Sequence, residues 1–90
     1  NVFPGEVEDA LTAHPAIGDA MAIGVDDPEF GQVLHAFAVL TAGAAQPGDD
    51  ELQSHLRGRL ERYKVPKRLV FIDEIPRNAA GKVLRTQLQT

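Results

Sequence analysis

The segment PRNAAGKVLRTQL, residues 76–88, contains the pattern in this sequence that most directly suggests phosphate chemistry. Lys82 follows Gly81, and a Gly-Lys pair is part of the phosphate-binding loop of many nucleoside triphosphatases. That motif also needs a glycine five residues before the Gly–Lys pair and a serine or threonine after the lysine. This chain has Pro76 and Val83 there. The segment is therefore not a phosphate-binding loop of that kind, and spacing alone leaves open that Lys82 is a solvated surface cation.

Other residue types exclude several kinds of site. The chain has no cysteine, which rules out disulfides and cysteine-based metal sites or nucleophiles. Its three histidines, His14, His35 and His55, show no ligand spacing, so we expect no metal site. The net charge is −4, with 13 acidic and 9 basic residues, and this balance gives no reason to expect binding to nucleic acid.

Two apolar runs predict the centre of a sheet. DAMAIGV, residues 19–25, and LHAFAVL, residues 34–40, have apolar or small residues at both alternate sets of positions, as in strands covered on both faces. Between them, DDPEFGQ carries Asp-Pro and Gly turn signals, so the two strands should be antiparallel neighbours. RLVFI, residues 68–72, predicts a third strand.

Helical signals surround these strands. Pro4 suits a first helical turn, and Pro15 should end that helix near His14. A second helix should run from Asp49 to about Tyr63; its apolar stripe consists of Leu52, Leu56, Leu60 and Tyr63. A short last helix should follow Gly81, with Leu84 and Leu88 on its buried face. The order αββαβα predicts an α+β fold, a small, mostly antiparallel three-stranded sheet packed with helices.

The length of 90 residues allows one domain, which buries roughly 65% of its unfolded surface and leaves little room for an enclosed substrate pocket. The sequence begins at Asn1 rather than methionine, and we expect it to be part of a longer polypeptide. No apolar run approaches the roughly 20 residues of a membrane-spanning helix, so no transmembrane segment is expected. A cytoplasmic location is the default expectation.

The whole chain resembles the C-terminal domain of the adenylate-forming superfamily, which includes acyl-CoA synthetases, aryl-CoA ligases, luciferases and peptide-synthetase adenylation domains. Five stretches carry the resemblance in order: NVFPGEVEDAL, HPAIGDAMAIGVDDPEFGQ, HAFAVL, YKVPKRLVFIDEIP and PRNAAGKVLRTQL. It implies that residues 1–90 form the mobile C-terminal subdomain of a ligase whose large N-terminal AMP-binding domain is absent here. The isolated domain should then be inactive.

The resemblance also implies site roles. Lys82 matches the lysine that the small domain carries into the active site for adenylation, where a cation can stabilise the carboxylate and the α-phosphate of ATP. Rotation of the domain then withdraws this lysine so that a thiol can attack the acyl-adenylate. Asn1 and Phe3 match the end of a loop that lines the pantetheine tunnel, although Phe3 could equally be a packing residue at the start of the helix.

The implied co-substrates are ATP and CoA, with Mg²⁺ arriving with ATP, all bound mainly by the absent large domain. The expected function is an acyl-CoA synthetase acting on a carboxylic, in particular fatty, acid. A band of basic residues lies at the end of the second helix, namely Arg57, Arg59, Arg62, Lys64, Lys67 and Arg68. It could bind the CoA phosphates, or it could simply be placed favourably near the negative end of that helix.

Two alternatives remain open from the sequence. The chain could be the lid of a peptide-synthetase adenylation domain, whose thiol belongs to a carrier protein. It could also be a non-catalytic α+β binding or regulatory module, in which Lys82 is only a surface cation. The acid substrate, its chain length and the oligomeric state cannot be read from these residues.

Overall fold

The computed structural model describes residues 3–76. Helix α1 spans Pro4–Thr12, strand β1 Ile17–Asp27, strand β2 Gly31–Leu40, helix α2 Asp49–Arg57 and strand β3 Arg68–Phe71, with a single 3₁₀ turn at Arg62–Lys64. The α+β prediction is confirmed. The predicted last helix, with Leu84 and Leu88, lies outside the described residues.

The three strands form one sheet in the order β1-β2-β3. β1 and β2 are antiparallel, as expected for strands joined by a three-residue turn, and their pairing runs from Ile17 opposite Leu40 to Asp27 opposite Gly31. β3 pairs with β2 in parallel over four residues, from His35 opposite Arg68 to Ala38 opposite Phe71. The sheet is therefore mixed, and the antiparallel part is the larger one. α2 lies in the crossover that a parallel pair requires.

Both faces of β1 and β2 are covered, as their sequences predict. On one face the sheet packs against α1 and α2, in a cluster that includes Leu11, Ala22, Ala36 and Leu56, all at most 1% exposed. The opposite face carries a second cluster of buried residues, Met21, Ile23, Phe37 and Ile75. Alternate residues of the same strand thus enter different clusters, because successive strand side chains point to opposite faces.

The second helix is shorter than predicted. It ends at Arg57 rather than near Tyr63, and Gly58 is its C-cap. Glycine weakens a helix by about 1 kcal/mol relative to alanine, and the backbone is already extended at Glu61. Leu52, Leu56 and Leu60 are buried as the apolar stripe requires, but Tyr63 is 69% exposed. The prediction that Tyr63 continues the stripe is therefore wrong, because the chain leaves the helical path before it.

Candidate functional site

An open groove of about 810 Å³ lies where three segments of the chain meet. The segments are the start of α1, the β1–β2 turn with the first residues of β2, and the stretch around the 3₁₀ turn. We call it the aromatic–lysine groove, and its lining residues are Phe3, Phe30, Gln32, Val33, Leu34, Arg62, Tyr63, Lys64, Val65 and Lys67.

One wall of the groove is built on the β1–β2 turn. Asp27 Oδ1 accepts hydrogen bonds from the backbone N–H groups of Glu29 and Phe30, at 2.9 and 3.0 Å. Gly31 closes the turn with φ +81°, a conformation that glycine adopts without strain. Asp27 Oδ2 accepts a hydrogen bond from Lys67 Nζ at 2.7 Å, and that ammonium lies 5.9 Å from the Phe30 ring centroid. Asp27 therefore fixes both the turn and the lysine at the start of β3.

The opposite wall joins α1 to the 3₁₀ turn. Phe3 and Tyr63 meet edge to face, with ring centroids 6.5 Å apart. Lys64 Nζ lies 4.4 Å from the Phe3 centroid and 5.6 Å from the Tyr63 centroid, both within the range of cation–π attraction. The same ammonium is 2.8 Å from Glu6 Oε2 in the first turn of α1.

Both lysines of the groove have a carboxylate partner. The hydrogen bond from Lys67, together with those from the turn, lowers the pKa of Asp27 to about 2, and Asp27 in turn raises the pKa of Lys67. Glu6 raises the pKa of Lys64, and Glu61 raises that of Tyr63. Arg62 has no ion pair within residues 3–76. Of the three cations that line the groove, Arg62 is the one whose charge no described carboxylate balances.

This arrangement suits binding rather than catalysis. Phe30 is 64% and Tyr63 69% exposed, so a ligand can reach both rings in a groove that Arg62 also lines. Such a surface can hold a ligand that has both a planar ring and negative charge, since aromatic faces stack on bases and guanidinium groups bind phosphates. In the part of the chain that the structure describes, no group of three or more His, Asp or Glu residues is placed to hold a metal ion.

The residues predicted as functional are only partly within the described region. Lys82, the predicted adenylation lysine, and Asn1 lie outside it. Phe3, the other residue predicted at the pantetheine tunnel, lines the aromatic–lysine groove. The sequence reasoning missed Phe30 and took Tyr63 for a buried residue. An exposed aromatic within the turn signal DDPEFGQ was the available indication for Phe30.

The basic residues at and after the end of α2 line several neighbouring depressions. Arg57 and Arg62 line a shallow depression with Gln53, Leu60 and Val65. Arg59 lines another depression together with Lys64, and its Nη1 is 3.3 Å from His55 Nδ1. These depressions share Arg62 or Lys64 with the groove, to which Arg62, Lys64 and Lys67 contribute.

Two of the histidines, His14 and His55, connect the helices. The N–H of Ala16 donates to His14 Nδ1 at 3.0 Å, so the hydrogen-bond network assigns the proton to Nε2, which lies 2.6 Å from Glu51 Oε2. His55 Nε2 lies 2.6 Å from the carbonyl oxygen of Ala10. These bonds connect α1 and the loop after it to α2, away from the groove.

The chain is similar, over nearly its whole length, to the sequences of several curated ligases. The chain is 47% identical to the 2-succinylbenzoate–CoA ligase of Geobacillus kaustophilus, over 99% of this chain and 18% of that protein. It is 40% identical to a fatty acid–[acyl-carrier-protein] ligase of Streptomyces coeruleorubidus, over 99% of this chain and 17% of that protein. The chain thus spans less than a fifth of the length of these curated relatives.

Solved structures agree with the sequence relatives. The o-succinylbenzoate-CoA synthetase of Bacillus subtilis, in complex with its acyl-adenylate intermediate, superposes with a TM-score of 0.88 at 39% identity, covering 100% of this chain and 18% of that one. The family model described as the AMP-binding enzyme C-terminal domain matches residues 6–82. Because this match extends over most of the sequence and through Lys82, the chain belongs to the AMP-binding enzyme C-terminal domain family.

Proposed function

We propose that residues 1–90 act as the C-terminal lid of an ATP-dependent acid–CoA ligase, which converts a carboxylic acid to acyl-AMP and then to a CoA thioester. The single observation that carries the proposal is the match over the whole chain to a CoA synthetase solved with its acyl-adenylate. The lid would work against a large AMP-binding domain of the same polypeptide, which would bind ATP, Mg²⁺ and most of the acid. A cytoplasmic location is part of the proposal, because the reaction draws on ATP and CoA.

In the first half-reaction Lys82 would be the catalytic residue. Attack of a carboxylate on the α-phosphate brings two anionic groups together, and a lysine that reaches both lowers the barrier by charge stabilisation and alignment. The neighbouring Gly81 and the long lysine stem suit delivery from a moving domain. The match of the family model through residue 82 supports this assignment.

In the second half-reaction the aromatic–lysine groove would face the CoA nucleotide. The adenine ring could stack on Phe30 or Tyr63, and the phosphates would pair with Arg62, whose charge is not balanced within residues 3–76. Phe3, in the opposite wall, would line the path of the pantetheine arm. This role is supported by the exposure of Phe30 and Tyr63 and by the position of Phe3 and Arg62 in the lining of the same groove.

The acid and the acceptor have two candidates each. 2-Succinylbenzoate has the stronger support as the acid, because a relative named for it reaches 47% identity. A fatty acid is the second candidate, because another relative is named as a fatty acid–[acyl-carrier-protein] ligase. The name of that relative also makes an acyl carrier protein the second candidate for the acceptor. Assays of the full-length enzyme with both acids and both acceptors separate these cases.

The test of the proposal uses the full-length enzyme and separates its two half-reactions. Lys82→Ala should lower acyl-adenylate formation, measured as pyrophosphate release, by about 10²–10³-fold, as expected for the loss of one transition-state contact. Thioester formation from supplied acyl-adenylate and CoA should stay close to the wild-type rate. Arg57→Ala, which removes a cation outside the groove, is the matched control and should leave both rates unchanged.

Two results would contradict the assignment of Lys82. Equal loss in both half-reactions would mean that the residue is structural or serves both steps. Unchanged pyrophosphate release would mean that Lys82 takes no part in adenylation. A full-length protein that forms neither acyl-adenylate nor thioester with either acid would favour a non-catalytic binding module.

A further inference from the structure

Lys64 lies at an unusually enclosed position for a lysine. Its side chain is 14% exposed, and its ammonium contacts three groups from two parts of the chain: the carboxylate of Glu6 and the rings of Phe3 and Tyr63. Withdrawing a charge from water is unfavourable unless other groups compensate. Here the ion pair and two aromatic faces provide that compensation, and Glu6 raises the pKa of Lys64, so the group stays cationic at neutral pH.

The contact with Phe3 is the informative one. Phe3 occupies the N-cap position of α1, and its side chain has no hydrogen-bonding group with which to cap the helix. Its ring meets that of Tyr63 at an interplanar angle of 70°, and the ammonium of Lys64 lies 4.4 Å from its centroid. Lys64, the last residue of the 3₁₀ turn, thus reaches the first residues of α1, and its ammonium lies near both rings of this wall of the groove.

We propose that Lys64 is a positioning residue for the thiol half-reaction: it holds Phe3 against the Tyr63 side of the aromatic–lysine groove, so that the groove keeps one geometry when CoA binds. This inference rests on the proposed function, which assigns Phe3 to the pantetheine path and either Phe30 or Tyr63 to the adenine ring. Lys64 itself touches neither reacting group. A lysine that only joined α1 to the 3₁₀ turn through Glu6 would stabilise the domain without affecting CoA.

The test measures the two half-reactions of the full-length enzyme separately. Lys64→Met keeps the apolar stem and removes the charge, and we expect it to raise the KM for CoA by about 10-fold, the effect of losing one cation–π anchor in a partly dry site. Pyrophosphate release should stay within about twofold of wild type. Lys64→Arg should restore most of the CoA affinity, because a guanidinium also pairs with carboxylates and stacks on aromatic rings.

Phe3→Leu and Glu6→Gln separate positioning from simple stabilisation. We expect Phe3→Leu to raise the KM for CoA as Lys64→Met does. The double variant should have a KM no higher than that of the more impaired single variant, because both changes break the same contact. Arg59→Met, a cation outside the groove, serves as the control and should leave the KM for CoA unchanged.

Several outcomes would overturn the inference. If Glu6→Gln reproduces the effect of Lys64→Met while Phe3→Leu has none, the ion pair alone matters. A fall of both half-reactions in proportion, or a change in melting temperature without a change in KM, would make Lys64 merely structural. An unchanged KM in Lys64→Met would remove its role altogether. A wild-type enzyme that forms no thioester from supplied acyl-adenylate would instead refute the proposed function itself.

Discussion

Leu56 offers the sharpest test of the packing that supports the groove. It lies in α2, is 1% exposed and belongs to the cluster that joins both helices to one face of the sheet. Replacing a buried leucine by alanine removes its transfer free energy and leaves a cavity, which together cost about 2–5 kcal/mol. Leu56 contributes to a cluster formed by several elements, so we expect Leu56→Ala to lower the free energy of unfolding by about 3 kcal/mol.

The size of this effect can be set against the whole domain. At roughly 0.05–0.15 kcal/mol per residue, a 90-residue domain has about 4.5–13.5 kcal/mol of stability. With a urea m-value of about 1.5 kcal/mol/M, a loss of 3 kcal/mol lowers the unfolding midpoint by about 2 M. The assay is urea unfolding of the 90-residue chain followed by far-UV circular dichroism.

Phe30→Ala is the matched control for Leu56→Ala. Phe30 is also a large apolar residue, but it is 64% exposed, so its removal should change stability by no more than about 0.5 kcal/mol. Equal midpoint shifts for the two variants would refute the reasoning. So would a shift below about 0.5 M for Leu56→Ala, since α2 would then not be packed on the sheet as described.

Three further expectations concern two side-chain contacts and the backbone conformation at glycine. The pKa of Asp27 is lowered from 3.8 to about 2, so its contribution to stability is complete above pH 4 and is lost as the pH falls towards 2; Asp27→Asn should flatten this part of the stability–pH curve, and an unchanged curve would contradict the contact with Lys67. His14 is 8% exposed, and His14→Ala removes its two hydrogen bonds, so the free energy of unfolding in urea should fall by about 1–3 kcal/mol. A fall below about 0.5 kcal/mol would show that water replaces both partners. Gly31→Ala should destabilise the domain by about 1–2 kcal/mol because of its positive φ, whereas Gly5→Ala, in open space on α1, should stabilise it by up to about 1 kcal/mol; the same sign for both in thermal melts would refute the backbone argument.

The sequence by itself determined the two central strands, the turn between them and the buried leucines of α2. The apolar pattern of residues 19–25 and 34–40 predicted strands covered on both faces, and Met21 and Ala22 do enter different clusters. The sequence also predicted the DDPEFGQ turn and the burial of Leu52 and Leu56. These features depend on residues close together in the chain, whose spacing directly reflects helix or strand geometry. The assignment of Lys82 came from family resemblance and stays a prediction, because it lies outside the described residues.

Only the tertiary structure decided how distant residues combine. The parallel pairing of β3 with β2, the exposure of Tyr63 and the meeting of Phe3 with Lys64 depend on where the chain turns after Gly58. Lys67 could have paired with any of 13 acidic residues, and its partner, Asp27, lies 40 positions earlier. The attraction between opposite charges depends on their distance in space and not on their separation in the sequence. The fold, and not the local pattern, therefore decides which cations are paired with a carboxylate and which remain available to a ligand.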